Sequence, residues 1–173
     1  MRVFIAADIE GVTSMVSWKD QSDFAAGRWM TQDVNAAVAG AFDGGATHVC
    51  VRDSHGPARS IIPEELDERA DLCRGWGDEH TMVEGVEDGF DALMLIGWHA
   101  RYGTEAGIMA HSWSGFIRNV WINGVEMGEV GLAAVIAGAA GVPVVMVSGD
   151  DRLAEETQAL VPGVRVAIVK YGA

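Results

Sequence analysis

The sequence predicts an α/β fold: a mainly parallel sheet with helices on both faces and an inserted antiparallel β-hairpin. Three observations carry that prediction. Apolar, β-branched runs recur along the chain without the alternation of a half-exposed sheet, as strands covered on both faces require. Between them lie segments with apolar residues at helical spacing. An Asn-Gly pair between two β-rich arms marks a tight antiparallel turn.

"RVFIAA" reads as the first strand and ends before Asp8. In "RWMTQDVNAAVAGAFDGG", Met30, Val34, Ala37, Val38 and Ala41 share one helical face, and Gly44 and Gly45 stop it. "THVCVR" follows as a strand before Asp53, which completes a βαβ unit with a right-handed crossover. "DALMLIG" leads to His99 and "PVVMVSG" leads to Asp150 as further strands. "FIRNVWINGVEMGE" is the hairpin, because both central residues of its type I′ turn, Asn123 and Gly124, need positive φ. Residues 130 to 147, "VGLAAVIAGAAGVPVVMV", are uncharged and about long enough to span a bilayer. Gly141 and Pro143 divide them, however, into a small-residue helix and a strand, so no membrane partner is expected. Asp150 or Asp151 reads as the N-cap of the helix "RLAEETQALV", and "VRVAIVK" is a last strand.

A chain of 173 residues, 49% hydrophobic and 21% charged, is expected to form one domain over residues 1–173 with a continuous core. Its 12 basic and 25 acidic residues give a formal charge of −13, which argues against a nucleic-acid partner or an anionic membrane. Cys50 and Cys73 show no CxxC spacing, and Cys50 lies in a β-like run as a buried free thiol. A reducing compartment follows, and with no signal-peptide pattern at the start the expected location is cytoplasmic.

Ligands of an open parallel sheet gather outside the carboxyl ends of its strands. That edge collects Asp8 and Glu10, then Asp53 and His55 in "DSHG", His99 and Arg101 in "GWHAR", and the acids of "SGDDR". Singly, each has an ordinary structural reading. Asp8 could form a turn before Gly11, His55 a turn contact, and His99 a core contact beside Trp98. Together they are harder to dismiss. Asp8 and Glu10, two apart in extended chain, would crowd two carboxylates where solvation is poor, unless a cation neutralises them. Imidazoles from neighbouring strand ends complete a mixed N/O set suited to zinc or manganese, with enough donors for two ions about 3.5 to 4 Å apart. His111, in the loop "GIMAHSWSG", is either a surface histidine or a proton carrier. Glu129, at the start of the small-residue helix, either complements the helix dipole or turns inward as a ligand. His48 and His80 read as structural or exposed.

In order along the chain, "DIEG", "DSHG", "MVEG", "GWHAR", "GIMAHS", "MGEVGL" and "GDDR" resemble the motifs of the zinc-dependent D-aminopeptidase family of metallopeptidases, over nearly the whole sequence from Asp8 to about Lys170. The resemblance implies that Asp8 bridges two zinc ions, with Glu10, His55, His99 and Glu129 as the other ligands and His111 as the catalytic histidine. It further implies hydrolysis of short peptides or amino-acid amides with D-residues at the amino end, and homo-oligomeric, ring-shaped assembly. Members of that family carry a second domain, so the resemblance implies that this sequence corresponds to the family's N-terminal, metal-binding domain, as a natural short form or as a fragment. A metal-dependent phosphohydrolase and a non-catalytic metal-binding module are the alternative readings of the same rim.

Overall fold

The computed structural model describes residues 1–22, 24–77 and 81–173. Among the described residues, eight strands and three α-helices follow one another as β1 (Arg2–Ala7), α1 (Phe24–Asp43), β2 (His48–Asp53), β3 (Ala70–Cys73), β4 (Ala92–Ile96), β5 (Val120–Ile122), β6 (Val125–Met127), α2 (Glu129–Ala139), β7 (Val144–Asp150), α3 (Asp151–Leu160) and β8 (Arg165–Lys170). Six of the strands form one parallel sheet in the order β3-β2-β1-β4-β7-β8. β1 and β4 run through the middle of that sheet and are apolar almost throughout, because neither of their faces meets water.

α1 covers one face. Its Ala26, Met30, Val34, Val38 and Ala41 pack on Val3, Ile5, Val49, Val51 and Ile96, and the helix ends at Gly44 and Gly45 as the spacing predicts. α2 and α3 cover the other face, where Ala133, Ala137 and Leu153 meet Phe4, Leu93, Leu95, Val144 and Val147. Alanine and glycine in α2 let its backbone lie close to its neighbours. The uncharged stretch of residues 130–147 therefore resolves into a helix and a strand, and no helix among the described residues is long and apolar enough to cross a membrane.

β5 and β6 form the expected antiparallel hairpin, with Asn123 and Gly124 at φ of 52° and 81°. Asp150 caps α3 by accepting a hydrogen bond from the Leu153 N–H at 2.7 Å. β3 is an addition to the sequence reading. "ADLC" is only four residues long and half-buried, so its composition carries little strand signal, and pairing with β2 along the sheet edge is what fixes it. His48 is half-buried and stacks on Phe90, in keeping with a structural role, and His80 lies outside the described residues.

Candidate metal centre

Register brings the expected residues to one rim. Ala7 is level with Asp53 on one side and Ile96 on the other, so Asp8, Ser54 and Gly97 leave the sheet together. The turn after β1 then presses on the turn after β4. The Gly11 N–H donates to the Gly97 carbonyl at 2.7 Å, and a Cβ at Gly11 would lie 1.7 Å from the Trp98 carbonyl oxygen. Gly97 has φ of 74°, and a Cβ there would meet the Asp8 carbonyl at 2.4 Å. Both positions require glycine if Asp8 and His99 are to approach each other. Trp98 fixes the same junction from the core, its indole N–H donating to the Ala6 carbonyl at 2.9 Å.

Asp8, Glu10, His99 and Glu129 are all buried, and His55 and His111 are half-buried beside them. His99 Nε2 lies 3.5 Å from Asp8 Oδ2 and 3.3 Å from Glu129 Oε1. His55 Nε2 lies 3.5 Å from Glu10 Oε1, and His111 Nε2 lies 3.7 Å from Glu129 Oε1. A tetrahedral zinc shell with bonds of about 2.0 to 2.2 Å sets neighbouring donors roughly 3.3 to 3.6 Å apart, which is the spacing seen here. Among the described residues, Asp8 Oδ2, Glu10 Oε2 and His99 Nε2 are buried without any hydrogen-bond partner, although buried polar atoms are normally paired. These residues fit a small divalent cation.

Hydrogen bonds to carbonyls, which only accept, settle which ring nitrogens carry protons. His99 Nδ1 donates to the Ala100 carbonyl at 3.0 Å and His111 Nδ1 to the Met109 carbonyl at 2.9 Å. In the neutral rings Nε2 is therefore the free lone pair, and in both it faces Glu129. The two rings stack with centroids 3.9 Å apart. Trp18 meets the His111 ring edge-on at 5.1 Å.

Without a cation, the charges are in conflict. Burial raises the Asp8 carboxyl well above its ordinary value, and the Glu10 charge adds to the rise. Burial pushes Glu10 up as well, but its contact with His55 and the His99 charge outweigh that and hold it at about 2. Burial lowers His99, yet Glu129, Asp8 and Glu10 overcome it and raise the imidazole to about 10. Glu129 is correspondingly lowered by His99 against its own burial, and burial together with the His99 charge lowers His111. A divalent cation would replace this arrangement by neutralising the carboxylates directly.

Not every acid at the rim joins the cluster. Asp53 turns back, accepting from the Ile61 N–H at 2.7 Å and the His55 N–H at 3.4 Å, and so shapes the loop that carries His55. Asp150 accepts from the Ile108 N–H at 2.6 Å in addition to its cap. Arg101 and Glu126 are paired with each other outside the cluster. Sequence reasoning missed three participants. Glu156 on α3 accepts from the N–H groups of Arg101 at 2.9 Å and Gly128 at 3.2 Å, holding the segments that carry His99 and Glu129. The Gln21 amide lies 3.1 Å from Glu10 Oε1 and 2.5 Å from His55 Nε2, between those two side chains. Trp113 has φ of 61° and donates its N–H to Glu129 Oε1 at 2.6 Å. None of the three has a local pattern, since each acts across a turn or from another element.

The cluster opens into a cavity of about 510 Å³, whose lining includes Asp8, Glu10, His55, His111 and Glu129 with Trp18, Trp76 and Trp113 as aromatic walls. His99 sits behind it in the core.

Comparison with known proteins places the chain in a family. A D-aminopeptidase of Bacillus subtilis (strain 168) is 39% identical over 175 residues, covering 98% of this chain and 64% of the relative. The solved structure of a Zn-dependent D-aminopeptidase from Bacillus subtilis, described as a self-compartmentalizing protease, superposes with a TM-score of 0.96 at 37% identity, over 99% of this chain and 64% of that one. The chain thus spans a little under two thirds of the length of these relatives. The peptidase M55 family model, D-aminopeptidase, matches residues 1–173, and the chain belongs to that family.

Proposed function

We propose that the chain is the metal-binding catalytic part of a dinuclear zinc aminopeptidase that acts on short peptides or amino-acid amides, including those with D-residues at the amino end. The observation that carries this is that Asp8, Glu10 and His99 bring ligand atoms within 4.8 Å of one another, while Asp8 Oδ2, Glu10 Oε2 and His99 Nε2 are buried without a hydrogen-bond partner among the described residues. Asp8, His99 and Glu129 would hold one ion and Glu10 and His55 the other, with Asp8 shared. Zinc held there supplies Lewis acidity, polarising a carbonyl and making water a better nucleophile near neutral pH. His111 carries the proton. Burial and the neighbouring His99 favour its neutral form, so it can accept a proton from water through Nε2 and return it to the leaving amine.

The remaining lining selects the substrate. Beyond the proposed ligands and His111, its described residues include no lysine or arginine that could pair with a phosphoester. Trp18, Trp76 and Trp113 offer apolar surface to the first side chain. We extend to this chain the self-association of its self-compartmentalizing structural relative, and the free thiols of Cys50 and Cys73 favour a cytoplasmic setting.

The test is release of product from a panel of D- and L-residue amides by zinc-loaded protein before and after chelation. Hydrolysis of at least one amide, lost on chelation, is expected. Tight zinc binding with no hydrolysis of any amide would instead identify a non-catalytic metal-binding module.

A further inference from the structure

We propose that Lys170, on β8 at the far edge of the sheet, is a positioning residue for the metal-ligand turn: its ammonium gathers the carbonyls of Glu10, Val12 and Met15 and thereby sets Glu10 against His55. The inference rests on the dinuclear reading above, and nothing in the chemistry of the cluster itself requires this lysine.

The turn after β1 leaves the middle of the sheet and crosses the ends of β4 and β7. Its N–H groups find partners on the way: Gly11 bonds to the Gly97 carbonyl and Thr13 to Asp33 Oδ2 at 2.8 Å, while Val16 and Ser17 bond to Asp20 Oδ2. The carbonyls are gathered by Lys170. Its Nζ donates to Glu10 O at 2.5 Å, Val12 O at 3.1 Å and Met15 O at 2.5 Å. An ammonium has three donors, and here three carbonyls of one turn use all of them. Nζ therefore acts toward the turn as a fixed cation would.

The link to the metal site is covalent and short. The carbonyl of Glu10 and its carboxylate share one Cα, so orienting the peptide plane orients the side chain that reaches 3.5 Å from His55 Nε2. Without the ammonium, the carbonyls of Glu10 and Met15 lose this donor together, and that of Val12 keeps the Met15 N–H at 3.3 Å. The peptide planes must then rotate to find others, and Glu10 turns with them. Asp8 is tied separately to β4 through its N–H and the Ile96 carbonyl at 2.9 Å. The Asp8, His99 and Glu129 set should therefore persist.

Zinc per chain, measured by competition with a chromophoric chelator, tests this. Lys170→Met is expected to fold and keep one zinc, with the second bound at least tenfold more weakly, and Lys170→Arg is expected to restore part of that affinity. Because Lys170 acts through Glu10, the double variant Lys170→Met with Glu10→Ala should bind zinc no more weakly than Glu10→Ala alone. If Lys170→Met fails to fold, Lys170→Gln, which keeps N–H donors without the charge, is expected to show the same selective loss. A merely structural lysine would lower the melting temperature and leave both zinc affinities as in the parent, and that result overturns the proposal. If the parent protein itself binds no zinc, the dinuclear reading fails first.

Discussion

His99 shows most directly how a single residue ties fold to chemistry. It is buried, its Nδ1 is committed to a backbone carbonyl, and its Nε2 faces two carboxylates that raise it to about 10. Relative to its ordinary 6.5, a raised imidazole stabilises the metal-free fold fully below about 6.5 and loses that contribution as the pH rises through about 10. Metal-free protein should therefore lose stability between those values, as thermal melts across pH would show. A ligand must also shed its proton to bind zinc. Zinc binding at pH 7 should accordingly release protons, seen as a dependence of the calorimetric heat on the ionisation enthalpy of the buffer, and its affinity should fall as the pH is lowered. His111 has the opposite task, since its depressed value suits a proton acceptor. His111→Ala should retain zinc while amide hydrolysis falls by about 10²- to 10⁴-fold, the range for a lost general acid–base group. Unchanged hydrolysis in the zinc-loaded variant would remove His111 from the mechanism.

Among the elements, α3 does more than cover the sheet. Asp150 caps it and also holds the Ile108 N–H, while Glu156 on its buried side holds the N–H groups of Arg101 and Gly128. Asp150→Ala should cost about 2 to 4 kcal/mol in chemical denaturation, a lost cap together with the half-buried Ile108 N–H left unpaired. A cost below about 1 kcal/mol would show that the cap alone matters. The sequence makes the cap visible, because Asp before an Ala- and Glu-rich run is a local pattern. It gives no sign of the Ile108 contact, since 42 residues separate the partners. The same distinction runs through the rim. Asp8, Glu10, His55 and His99 are legible because parallel strands end together and each residue closely follows an apolar run. Glu129 stays ambiguous at the head of a helix until the family motifs bring it in, and Gln21 and Glu156 are silent because only tertiary folding delivers them. β3 escapes for another reason: four half-buried residues at an edge carry neither apolar continuity nor alternation.

Across the whole molecule, the cost of assembling like charges is carried by the sheet. A core on both faces of β1 and β4 holds Asp8, Glu10 and Glu129 near one another despite a net charge of −13. Zinc should therefore stabilise the fold as well as complete the site. At a free concentration about a hundred times its dissociation constant, each ion adds roughly 2.7 kcal/mol, which for a chain of this size corresponds to a rise of about 5 to 10 °C in melting temperature. Chelation should reverse the rise. Elemental analysis of zinc-equilibrated parent protein and Asp8→Ala tests whether the buried donors at the ends of β1 and β4, unpartnered among the described residues, hold zinc. Two zinc ions per chain are expected in the parent, and neither held tightly once the Asp8 carboxylate is gone. A parent that binds no zinc, or an Asp8→Ala variant that keeps both ions, would contradict this expectation.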